Sequence, residues 1–142
     1  GAEMTGSPAD IWSHKWGIVP RLKDGVYISD YTVQPELWVT PGDMTIGVYS
    51  HELGHAFGLP DLYDTDGTAS RGTGTWDLMS YGSWNGPGGM GGSPSHPSAW
   101  SRIAMGFATA TNVSSNISDQ SITSVESGGP IFRIWTSGAA SD

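Results

Sequence analysis

Residues 44–64, MTIGVYSHELGHAFGLPDLYD, hold one helical pattern and its abrupt end. Ile46, Tyr49, Leu53, Ala56 and Phe57 recur at intervals of three and four, which predicts a helix from about Met44 to Phe57. Thr40-Pro41-Gly42-Asp43 supplies the turn before it. Gly58 suits a left-handed cap, and Pro60 blocks continuation. On such a helix His51 and His55 stand four residues apart on one face, so both imidazoles can reach one ion. Glu52 lies beside His51 and can reach the open side of that ion. Gly58 lets the chain leave the helix sharply, and Asp61, six residues past His55, can then swing back under the same ion. Asp61 also admits a plainer reading as a helix-end or calcium-binding residue.

Zinc hydrolases hold their ion with three protein ligands and keep a fourth position for water. The ion lowers the water's pKa and polarises a carbonyl, while a carboxylate takes the water's proton and passes it to the leaving amine. His51, His55 and Asp61 are therefore the candidate zinc ligands and Glu52 the candidate general base. Eighteen residues after Asp61 comes Met79, in the run Leu78-Met79-Ser80-Tyr81. The set resembles the extended zinc motif of the metzincin class, with Asp where His is more often found. Met79 resembles the methionine of that class's Met-turn, which lies below the zinc. In some of those families a tyrosine two residues past the Met is a reversible extra ligand that steadies the tetrahedral intermediate. That resemblance makes Tyr81 a candidate catalytic residue, beside its reading as a plain core or cleft tyrosine.

The bulk composition bounds the rest. The 142 residues are one domain's worth. With a net charge of −8 and six Lys plus Arg, the chain has no basic stripe to neutralise phosphates, so no nucleic-acid partner is expected. The same balance disfavours an anionic membrane surface, and no apolar run is long enough to span a bilayer. Cysteine is absent, which excludes disulfides and a thiolate zinc site and leaves His, Asp and Glu as ligands. Twenty-one Gly and seven Trp point to a loop-rich chain with large aromatic anchors.

Outside the helix, Gly25 to Val39 reads as one extended strand bent near Asp30, with Pro35 at an edge or outside the sheet. As the strand before the helix, Gly25 to Val33 is the expected partner of an extended peptide substrate. Ile11-Trp12-Ser13-His14-Lys15-Trp16 is too short to assign, and His14 reads as a packed, hydrogen-bonded histidine. Residues 62–95 read as loop. Within it, Gly82 to Pro94 is expected to wall a wide, adaptable substrate pocket. Asp64-Thr65-Asp66-Gly67 resembles the opening of a calcium loop, which makes Asp64 and Asp66 candidate calcium ligands. Thr75 stands where an EF-hand has Glu, and a solvated turn is the alternative. Pro97 to Phe107 predicts a second helix with Ser95 or His96 near its N-cap, and Ile122 to Val125 and Ile131 to Trp135 read as short strands.

The run HELGHAFGLPDLYD at 51–64 resembles that of the immune inhibitor A-type secreted metalloproteases of bacteria, as do IWSHKW at 11–16, WDLMSYGSWNG at 76–86 and PSHPSAWSRIAMGF at 94–107. The resemblance implies a secreted, zinc-dependent endopeptidase with protein or peptide substrates, made as a precursor and often stabilised by calcium. It implies an α+β fold: a mixed sheet, the active-site helix, the Met-turn and a second helix. Catalytic domains of that family are longer than this chain. Residues 1–142 are therefore expected to be a partial catalytic domain, lacking N-terminal strands and a C-terminal continuation, with the remainder of its own domain as a partner. A non-catalytic, metal-stabilised piece of a larger secreted or surface protein is the rival reading. A metal hydrolase acting on non-peptide amides would keep the same site.

Overall fold

A computed structural model describes residues 1–68 and 70–134, and they form an α+β arrangement. The chain falls into two compact units, divided after Ser98.

The first unit opens with a one-turn helix, α1 (Ala2–Thr5), followed by a long hairpin of β1 (His14–Lys23) and β2 (Val26–Val33). Lys23 pairs with Val26, so Asp24-Gly25 is a two-residue turn. Both residues have positive φ, 51° and 81°, as a turn matched to the twist of the strands requires. The expected strand across 25–39 is thus β2 alone, and residues 34–39 leave it. The unassigned IWSHKW run feeds β1. Its strand character is hidden by an irregularity: Gly17 pairs with Asp30 and Arg21 with Ile28, so β1 carries two extra residues between those pairs. Pro20, which cannot donate to a ladder, sits in that bulge.

Helix α2 (Ile46–Ala56) is shorter at both ends than the periodicity suggests. Thr45 is its extended N-cap residue, and its hydroxyl bonds the Met90 carbonyl. Before it, Asp43 accepts the backbone N–H groups of Trp38, Val39 and Thr40, closing a tight loop. At the other end Gly58 has φ 88°, and Leu59 N–H returns to the Gly54 carbonyl. The apolar stripe that located the helix does not face inward: Ile46, Leu53 and Phe57 are more than half exposed, whereas Gly47, Val48, His51, Glu52 and Gly54 are buried. The interior is packed against the polar, glycine-bearing face.

Residues 59–98 carry short 3₁₀ turns at Gly74–Trp76, Tyr81–Trp84 and Pro87–Gly89. They wrap Leu78 and Met79 under α2, and these two with Val48, Leu59, Ala2 and Trp38 are the buried apolar residues among those described. Burying each of the Val, Leu and Met side chains among them contributes roughly 1.5–3 kcal/mol. A Cβ on Gly54 would fall 2.4 Å from Met79 Sδ, and one on Gly47 would fall 1.9 Å from the Ser83 carbonyl and 2.8 Å from Gly91 Cα. The glycine-rich loop therefore lies backbone to backbone on the start of α2, while its Ser83 and Trp84 line a cavity beside Glu52.

The second unit holds α3 (Ala99–Ala104), β3 (Ala110–Asn112) and β4 (Ile131–Arg133). The two strands pair in parallel, and Arg133 Nε donates to Asn112 Oδ1 at 2.7 Å. Helix α3 starts two residues after Pro97. Ile122 lies outside any strand, Val125 opens a 3₁₀ turn, and Trp135, the end of the last expected strand, lies outside the described residues.

Candidate active site

His51 and His55 project from one face of α2 with ring centroids 4.8 Å apart. Each ring is pinned through Nδ1, His51 to the Leu78 carbonyl at 2.9 Å and His55 to the Leu59 carbonyl at 2.8 Å. A carbonyl only accepts, so Nδ1 carries the hydrogen and Nε2 keeps a lone pair. Both Nε2 atoms face Asp61 Oδ1, at 3.1 and 3.2 Å. Gly58 makes this possible, because its left-handed turn brings residues 59–61 back beneath the helix.

Asp61 Oδ1 is buried without an aligned hydrogen-bond donor. Burial opposes its charge, but the adjacent imidazoles outweigh that and hold its carboxyl well below the usual range. Proximity rather than an aligned hydrogen bond couples them. Two lone pairs and a carboxylate oxygen facing one point repel unless a cation lies between them. His51, His55 and Asp61 are the one His/Cys/Asp/Glu group among the described residues whose atoms could hold a metal, all within 4.8 Å of one another. A tetrahedral zinc with bonds near 2.0–2.1 Å has ligand atoms about 3.3 Å apart, so the donor set and spacing fit such an ion.

Glu52 is buried, and its Oε2 has no hydrogen-bond partner. Burial pushes its carboxyl above the usual range, against the pull of His51, His55 and His14. Two cavities flank it. One, of about 290 Å³, is lined by Trp12, Ser13, Glu52, Tyr81, Ser83 and Trp84 among others. The second, about 460 Å³, runs past the three clustered residues and is walled by Ser13 to Trp16. The strand that lines this second cavity is the start of β1. His14 is held through Nδ1 to the Trp12 carbonyl at 2.7 Å and lies edge-on to Tyr31, packed as the sequence suggests, while also lining that cavity.

Tyr81 is 45% exposed and lines the first cavity. Met79 is fully buried beneath Gly54. Asp64 lines the first cavity with His51 and Glu52, and neither it nor Asp66 belongs to the group of His51, His55 and Asp61. Asp64 Oδ1 accepts the N–H groups of Asp66 and Gly67, its Oδ2 accepts that of Ser70, and Asp66 Oδ1 accepts that of Thr68. These bonds close the loop as an Asx-type turn.

Tyr63 is the site residue that sequence reasoning missed. Its ring stacks on His51 at 6.4 Å and 24° and lies 6.0 Å from Tyr81. Burial first, then the charge and hydrogen bonding of Asp61, push its phenol up to about 12. The available signal was its place two residues past Asp61.

Residues 1–109 match the family described as immune inhibitor A peptidase M6, catalytic domain. Immune inhibitor A of Bacillus thuringiensis subsp. alesti is 38% identical over 90 residues, covering 54% of this chain and 12% of that protein. The pre-pro-metalloprotease PrtV of Vibrio cholerae serotype O1 (strain M66-2) is 38% identical over 120 residues, covering 72% of this chain and 12% of that protein. The chain thus spans 12% of the length of the curated relatives it matches. No solved structure matches it.

Proposed function

Since this chain belongs to the immune inhibitor A peptidase M6 family, we propose that it carries the active site of a zinc-dependent endopeptidase acting on proteins or peptides. The observation that carries this reading is the approach of both histidine Nε2 atoms to Asp61 Oδ1, at 3.1 and 3.2 Å, with the buried, unpartnered Glu52 Oε2 nearby. The relatives named as an immune inhibitor and a metalloprotease agree with it.

His51, His55 and Asp61 would hold the zinc. The bound ion would supply an acidified water and a polarised scissile carbonyl. Glu52 would take a proton on Oε2 and return it to the leaving amine nitrogen. Its burial suits it to that exchange, because a carboxylate made less reluctant to be protonated is a better shuttle near neutral pH. Trp12, Trp84 and Tyr81 offer apolar surface to the residues beside the cleaved bond, and the Tyr81 phenol is the candidate for steadying the developing oxyanion. Asp64 and Asp66 are the candidate calcium residues of this reading. Secretion from a bacterial cell follows from the same family likeness, and no helix among the described residues is long and apolar enough to cross a membrane.

The test is metal analysis and turnover of the full-length protein with Glu52→Gln. One zinc per chain is expected to remain, with kcat reduced about a hundred- to ten-thousand-fold. A variant that loses its zinc, or that turns over normally, removes Glu52 from this role.

A further inference from the structure

Asp77 is a fully buried carboxylate that the proposed chemistry does not use. Its Oδ1 accepts the Met79 N–H at 2.7 Å and its Oδ2 accepts the Ser98 N–H at 3.1 Å. Its own carbonyl accepts the Ser80 N–H at 3.1 Å, so both ends of the residue brace one short turn. That turn offers two consecutive carbonyls to the metal cluster. The Leu78 carbonyl takes His51 Nδ1 at 2.9 Å, and the Met79 carbonyl takes the N–H of Leu62, next to Asp61, at 2.7 Å. The Met79 side chain fills the space under Gly54, between the two histidines in the helix. One peptide segment thereby sets the tautomer and tilt of His51 and the path of the backbone that carries Asp61.

We propose that Asp77 is a positioning residue of the metal centre: its buried carboxylate fixes the turn whose Leu78 and Met79 carbonyls aim His51 and Asp61 at the ion. The inference rests on the zinc reading of those residues. Its physical basis is that outer partners of metal ligands set ligand orientation and basicity, and their loss typically costs about 10- to 100-fold in metal affinity or activity. A neutral amide at position 77 keeps one oxygen for one N–H and turns an NH₂ group toward the other, so the brace fails on one side.

The experiment compares wild type, Asp77→Asn and Asp61→Ala in the full-length protein. Zinc affinity is measured by chelator competition, the Co(II)-substituted protein by its visible bands, and turnover at saturating zinc. Folded Asp77→Asn is expected to bind zinc about 10- to 100-fold more weakly, to shift the cobalt bands, and to lose kcat with little change in KM. A purely structural Asp77 would lower the melting temperature and leave zinc affinity and cobalt bands as they were, which overturns the proposal. Asp61→Ala separates the two claims. If it binds zinc like wild type, the metal reading falls and this inference with it. If it loses zinc while Asp77→Asn does not, only this inference falls. Amide exchange on the wild type decides the matter should Asp77→Asn not fold. The Met79 and Leu62 N–H groups are expected to be protected in the zinc-free protein, and rapid exchange of either overturns the proposal.

Discussion

Tyr63 meets the site through ring contacts that no motif announces, with its centroid 6.4 Å from that of His51 and 6.0 Å from that of Tyr81. Its phenol, pushed up to about 12, stays protonated at any ordinary pH and is a standing donor beside the Asp61 carboxylate. Its ring is stacked on His51 with planes inclined by 24°. Tyr63→Phe keeps that ring and removes only the donor, so the fold is expected to persist while zinc affinity falls about tenfold or more. Tyr81→Phe, on a side chain 45% exposed that lines the first cavity, is expected to lower turnover and leave zinc affinity unchanged. Equal zinc affinity in Tyr63→Phe and wild type would reduce Tyr63 to a packing residue. The histidine pair and Asp61 were legible as candidates because their geometry is local: four residues along a helix, then one left-handed glycine. Tyr63 was not, because nothing in its neighbours announces that it stacks on His51, twelve residues earlier.

Helix α2 shows what periodicity can and cannot locate. Repeats of three and four found the helix, since they follow from its 3.6-residue turn. They did not find its buried face. Gly47 and Gly54 have no side chain to count as apolar, yet they allow Ser83, Gly91 and Met79 to pack against the helix. Gly47→Ala is expected to be the worse substitution, because its Cβ would meet rigid backbone at 1.9 Å, whereas Gly54→Ala meets the flexible end of Met79 at 2.4 Å. Overpacking costs about 1–3 kcal/mol, with Gly54→Ala within that range and Gly47→Ala at its top or beyond. Urea denaturation of both variants checks the order, and the reverse order would mean that the loop at 83–91 yields more readily than the buried methionine. The hairpin was half legible for a similar reason. Asp24-Gly25 is a strong local turn signal, but the bulge around Pro20 disrupts the alternation that would have revealed β1.

At the scale of the whole molecule, few described apolar residues are buried, and Leu59 and Met79 among them pack against Gly54 of α2. A cation held by His51, His55 and Asp61 would tie that helix to the chain beyond it and would bind only when both are in place. Saturation with zinc at about a hundred times its Kd is then expected to add about 2.7 kcal/mol of stability, read as a rise in melting temperature of the full-length protein. With zinc kept saturating, calcium is expected to raise it further through Asp64 and Asp66. A melting temperature indifferent to calcium leaves Asp64–Gly67 as a turn closed by its own hydrogen bonds. By itself the sequence determined the family, the α+β class, the helix that carries HELGH and the turn that can bring Asp61 back, since each depends on residues within a few positions of one another. Only the tertiary structure decided that Leu78 and Leu59 orient the two imidazoles, that Asp77 braces the turn beneath them, and that the start of β1 lines the second cavity. Apart from the Leu59 contact, which closes within one turn of the chain, these depend on segments that meet through burial and close glycine packing, and linear spacing carries no record of such meetings.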